Sequence, residues 1–280
     1  MSGSLLLLFV FLSAFLAPPL SRLLRMPVPV GELVIGLLLG HFLAQGVALP
    51  EILGFLADFG FLLLMFLAGL EVDFNLLRQL ERRHFVFYAL YVVGMFLGAG
   101  LLAGLLGVGL AQALILALVS IGLMVATLRD MGILGRAFAK RVLILGVLGE
   151  VASLFGLTAM EKAAHYQGLL SLLKEVGIIA LFFLLLFLAF RLAGLFLWWY
   201  PEVGRRLVYE EDPSAMGIRL SLALMFAAAV MSGLVGLESV LGAFLAGMIL
   251  SYFLQKKHDL EAKLSAMGYG FLIPIFFIRT

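Results

Sequence analysis

The 280-residue chain contains no cysteine. That absence excludes disulfide stapling, thiolate metal centres and cysteine-ligated iron–sulfur clusters. Charge is scarce as well, at 13% of residues, against about 25% in ordinary soluble domains. A water-facing surface cannot be assembled from so little, and a soluble globular fold is excluded with it. The four histidines, His41, His84, His165 and His258, are scattered and form no metal-ligand cluster. H-E-x-x-H, the Walker A loop, G-x-S-x-G and the Rossmann glycine fingerprint are all missing. No cofactor, resident metal or nucleic-acid partner is expected. An intramembrane enzyme has neither paired acids nor a Ser–His constellation to work with.

What the chain does have is hydrocarbon: 64% of residues are hydrophobic and the mean hydropathy is +1.18. Apolar runs able to cross about 30 Å of bilayer fall near 4–24, 30–46, 53–70, 85–106, 111–131, 142–160, 177–199, 214–235, 238–254 and 267–279. These predict an all-α polytopic membrane protein of about ten transmembrane helices. The first run lacks the basic residues that precede a signal sequence; Arg22 and Arg25 follow it, so it reads as a retained span. The 31 glycines suit close helix packing, and the spaced pairs Gly36/Gly40 and Gly94/Gly98 predict such contacts.

The basic residues orient the spans. With alternating sides, one side receives Arg22, Arg25, Arg78, Arg82, Arg83, Arg129, Arg136, Lys140, Arg141, Arg205, Arg206, Arg219, Lys256, Lys257 and Lys263. The other receives only Lys162 and Lys174, while Arg191 and Arg279 fall inside apolar runs. The positive-inside rule makes the crowded side cytoplasmic and places the N-terminus outside, in a cell (inner) membrane.

An internal repeat follows. "GELVIGLLLG" at 31–40 matches "GAFLAGMILS" at 242–251, pairing Gly31 with Gly242 and Gly36 with Gly247 at an offset of 211. The first span starts outside and the eighth inside, so the copies run in opposite senses, as in inverted-repeat transporters. The expected divisions are a first repeat over 1–165, a linker helix and cytoplasmic loop over 166–212, and a partial second repeat over 213–280. At this offset Thr280 corresponds to Gly69, so the second repeat is expected to be incomplete and the chain truncated.

Glu150 interrupts the apolar run from Val142 to Met160. It lies roughly 13 Å from the Arg141 end and 16 Å from the Glu161 end at about 1.5 Å per residue. A carboxylate at mid-membrane costs about 2.5–3.5 kcal/mol on insertion scales, and such groups mark ion or proton pathways. It can hold a proton or a monovalent cation, but not both at once, which is the minimum chemistry of an antiporter. Ser120 is either a serine bonded to its own helix or a candidate oxygen ligand. Ser153, one turn on from Glu150, faces the same side of the helix, with packing as its expected role. Glu32, Asp58, Glu71 and Asp73 sit near span ends, where solvated or capping roles are expected; Asp58 is the deepest of them. Glu238 reads as a helix N-terminal charge.

"MPVPVGELVIGLLLG", "LADFGFLLLMFLAGLEVD", "ESVLGAFLAGMILS" and "YGFLIPIFF" together resemble the sodium/proton exchanger superfamily, nearest the Kef-type bacterial branch. The resemblance implies an unwound crossing helix over 111–131, with Ser120 and Gly122 at family positions, and an ion-site helix over 142–160. There the family's acidic pair falls on Gly149 and Glu150, which leaves one carboxylate. Met124 stands where relatives often carry a hydroxyl. The resemblance also implies a homodimer, and a basic residue and second crossing helix placed beyond Thr280. The expectation is alternating-access exchange of Na+, K+ or Li+ for H+, one for one, at Glu150. A cation channel or leak on the same scaffold and a non-transporting truncated fragment are the alternatives.

Overall fold

Leucine-rich apolar runs leave the backbone no partner but itself in lipid, and among the described residues every element is helical, with no strand. The computed structural model describes residues 3–42, 50–72, 82–117, 120–164, 215–253 and 258–279, with isolated helical positions between 177 and 199. The helices are α1 (Gly3–Leu23), α2 (Val28–Phe42), α3 (Glu51–Leu70), α4 (Arg82–Leu106), α5 (Leu110–Leu116), α6 (Ile121–Asp130), α7 (Ala137–Ala164), α8 (Met216–Leu234), α9 (Ser239–Phe253), α10 (His258–Met267) and α11 (Ile273–Arg279). A π-helical turn, Gly268–Leu272, joins the last two.

Among the described residues, six stretches are long and apolar enough to cross a membrane: Leu5–Leu23, Glu51–Leu70, Val86–Leu106, Gln112–Asp130, Met216–Leu234 and Leu260–Arg279. Helices α2 and α9 are shorter apolar helices. The chain is a multi-pass membrane protein. On α4, Val86, Leu90, Val93, Leu97 and Leu101 are all exposed. They recur at helical spacing as one apolar stripe, a face that only lipid or another apolar surface can solvate.

The core is built around α3. Every residue from Leu63 to Leu70 is buried, so this helix is covered on all sides in its second half. Leu63, Leu64, Phe66 and Leu67 pack with Met225 of α8, Ala243 and Ala246 of α9, Leu260 and Leu264 of α10, and Phe277 of α11. Helices α3 and α9 cross at Gly69 and Gly247, where a Cβ on either glycine would strike the other helix's backbone.

The last span begins earlier than the apolar run at 267–279 indicates. Leu260 and Leu264, one turn apart, are buried together with Ser265, and the helix forms on that periodicity. Its continuation through the π turn has a local cause. Pro274 has no N–H to give an α-helical bond, and just before it Ile273 N–H reaches five residues back to the Gly268 carbonyl.

Glycine spacing is a less reliable guide. Gly36 does pack against the Ile278 backbone, but a Cβ at Gly40, Gly94 or Gly98 would meet nothing within 4 Å among the described residues. Gly31 meets Ser21 of α1, and Gly242 meets Ser232 of α8. The expected span at 177–199 lies largely outside the described residues, as do Asp73, the linker loop and Thr280.

Candidate functional site

The segment expected as an unwound crossing helix over 111–131 consists of two helices. Helix α5 closes at Ala117, and α6 opens at Ser120, whose backbone is extended (φ −91°, ψ 100°). A break of this kind strands carbonyls at the end of one half-helix and amides at the start of the next. Both sets of stranded groups find partners on α7.

Glu150 reaches the amide side. Its Oε2 accepts from the Ile121 backbone N–H at 2.9 Å, on the first residue of α6, where the aligned peptide dipoles are positive. Ser153 reaches the carbonyl side. Its hydroxyl lies 2.9 Å from the Ala117 carbonyl oxygen and 2.7 Å from the Gly149 carbonyl oxygen, and donates to these acceptors. One turn of α7 therefore spans the break, with a carboxylate on one stump and a hydroxyl on the other. Ser153 is fully buried and Glu150 half-buried.

Ser120 caps α6. Its Oγ accepts from the Leu123 N–H at 3.3 Å, and the residue is exposed, so the hydroxyl bonds its own helix and still faces open space. Gly122 presses α6 onto α3; a Cβ there would come 2.9 Å from the Leu64 side chain and 3.5 Å from the Met65 sulfur. Gly149 is buried and supplies a carbonyl to Ser153. Met124 lies against Gly146, one turn before Glu150, with its sulfur 3.0 Å from where a Cβ would stand. A thioether thus occupies the position at which related chains were expected to offer an oxygen.

Five of the six candidate residues, Glu150, Ser120, Gly149, Gly122 and Ser153, come together around the break. Asp58 does not join them. It is an exposed residue on α3 whose Oδ1 pairs with Arg279 Nη1 at 3.0 Å. Glu238 is exposed immediately before α9 and acts electrostatically on Glu150. Among the described residues there is no group of three His, Cys, Asp or Glu able to hold a metal ion.

Glu32 differs from its expected role: it is not solvated but only 4% exposed. Asp130, at the end of its span, accepts from the Val28 N–H at 3.0 Å and so caps α2 from the far end of α6. A signal for Glu32 was present, because Gly36 stands one turn further on the same face, and that face is the one pressed against α11.

Comparison with known proteins bears on this arrangement. Residues 11–280 match the model of a family described as "Sodium/hydrogen exchanger, transmembrane". The Na+/H+ antiporter of Enterococcus hirae is 29% identical over 98% of this chain, which covers 71% of that protein. The Na+/H+-K+ antiporter of Bacillus cereus is 27% identical over 96% of the chain, which covers 68% of it. A Bacillus subtilis relative is 28% identical over 98% of the chain, which spans 46% of that protein's length.

Proposed function

Because the chain belongs to the sodium/hydrogen exchanger family, we propose that it exchanges a monovalent cation for protons by alternating access, with Glu150 as the shared carrier. The observation that carries this proposal is the contact of Glu150 with Ile121 N–H at the start of a broken helix. One carboxylate oxygen is held by the backbone, and the other is the one assigned to the travelling charge. The Ser120 hydroxyl and the α5 carbonyls lie at the same break and supply further oxygens for a cation that has shed water. Proton and cation exclude each other there because each satisfies the same negative charge. With one carboxylate to neutralise, exchange is one for one.

The wider arrangement supports this. Gly31 packs on Ser21 and Gly242 on Ser232, which are equivalent contacts at the offset of 211, as expected of two repeats inverted within a ten-span scaffold. The relatives' names give sodium for one and both sodium and potassium for the other, and either ion fits a single carboxylate. The proposal includes a homodimer in the inner membrane with the N-terminus outside.

The test uses the whole protein in liposomes enclosing a pH-sensitive dye. A pulse of Na+ or K+ dissipates a preset pH gradient, and Glu150→Gln abolishes the response. Exchange at the wild-type rate by that variant would remove the proposal. Currents far above turnover rates, without proton movement, would assign the scaffold to a channel instead.

A further inference from the structure

Helix α6 has a second carboxylate site at its other end, roughly 14 Å from Ile121 at about 1.5 Å per residue. Glu32 lies just past the first turn of α2 and is 4% exposed. Among the described residues, no hydrogen bond to its carboxylate is formed, and the charged group acting on it is Asp130. Asp130 is fixed nearby by its bond from Val28 N–H, so the two acids meet at one helix start.

Four basic residues on the surrounding helices have other settings among the described residues. Arg129 lies over the Tyr269 ring, 4.7 Å from its centre. Arg279 pairs with Asp58, and Arg22 and Arg25 at the end of α1 are exposed. A buried carboxylate without a hydrogen-bond donor is costly, and the negative charge of Asp130 nearby, itself exposed, adds repulsion. A single positive charge removes both penalties.

We propose that Glu32 and Asp130 form a second holding site for one positive charge, a monovalent cation or a proton, on the cytoplasmic approach to Glu150. Its place in transport rests on exchange at Glu150 and on the orientation set by the basic residues; its capacity to bind does not. The two sites cap opposite ends of α6, so a charge released from Glu150 towards the cytoplasm has a carboxylate waiting one short helix away.

The experiment measures radiolabelled Na+ bound to the purified whole protein and, in liposomes, the apparent KM for Na+ at each face. In a Glu150→Gln background, Na+-displaceable binding persists, and adding Glu32→Gln removes it. Glu32→Gln alone raises the KM at the cytoplasmic face about tenfold, equivalent to about 1.4 kcal/mol, and leaves the opposite face unchanged. Asp130→Asn keeps an oxygen to accept from Val28 while losing the charge, so it separates the site from the helix cap. It shifts the same face in the same direction, and it serves as the test if Glu32→Gln fails to elute as a folded species. Binding that survives the paired substitution, or equal KM values at the two faces, overturns the inference. Exchange surviving Glu150→Gln would overturn the carrier role of Glu150 and leave the binding result standing.

Discussion

At the scale of single residues, the break between α5 and α6 is held by two side chains with different duties. Ser153→Ala strips a buried donor from the Ala117 and Gly149 carbonyls, and an unmet buried acceptor costs about 1–3 kcal/mol. The variant should melt several degrees lower in a detergent-based thermal shift assay and retain Glu150-dependent exchange. Ser120→Ala loses the bond that accepts Leu123 N–H, worth about 1 kcal/mol at an N-cap. Because the hydroxyl also stands at the same break as Glu150, the proposed carrier, the same change should raise the KM for Na+ several-fold. Ser120→Thr should restore both quantities, and a Thr variant that recovers melting temperature but not KM would confine the residue to capping. Glu150 was legible in the sequence because oil makes an isolated carboxylate conspicuous. Ser153 was undervalued because a serine in a helix ordinarily bonds back four residues, as this one does to Gly149. Its second acceptor, Ala117, lies 36 positions away, and no pattern within one helix reports a partner at that range. Glu32 was misplaced for a related reason: proximity to a span end suggests solvent, whereas the helix face shared with Gly36 packs against α11 and puts it in the interior.

At the scale of helices, contacts are decided by which glycine faces a neighbour rather than by spacing alone. Gly36→Ala would drive a methyl into the Ile278 backbone, whereas the same change at Gly40 meets open space. Backbone cannot yield as a flexible side chain does, and overpacking of this kind costs about 1–3 kcal/mol. Fluorescence size-exclusion after a heat step should show Gly36→Ala losing its monodisperse peak well below wild type, with Gly40→Ala indistinguishable from it. Equal losses would mean that α2 does not pack on α11 as described. Apolar run length marked the positions of most helices, since the bilayer's thickness imposes it. Run length failed where helix formation has another cause. In α10 the cause is a periodic buried face on a polar sequence, and at the π turn it is the missing N–H of Pro274. The interruption of the segment 111–131 leaves no trace in hydropathy either. From Ala113 to Ala126 only Ser120 is polar, no proline stops the helix, and the stop is stabilised by Glu150 and Ser153 from another element.

At the scale of the whole molecule, the charges, the repeat and the carrier all depend on one assignment of sides. The proposed orientation puts the turn after α4 outside and the turn after α6 in the cytoplasm, and only with it do Glu32 and Asp130 guard the inner approach while Glu238 overlooks the outer one. The absence of cysteine makes that assignment directly measurable, because any introduced thiol is the sole one in the chain. Val108 and Met131 are both exposed, the first in the turn after α4 and the second capping the end of α6. In intact cells a membrane-impermeant maleimide should label Val108→Cys and spare Met131→Cys. After permeabilisation it should label both. If Met131→Cys reacts from outside and Val108→Cys does not, the orientation is inverted, and the Glu32 site becomes an external one. If both react from outside, α5 and α6 do not together cross the bilayer, and Glu150 could not then stand between two aqueous faces, which exchange at one carboxylate requires.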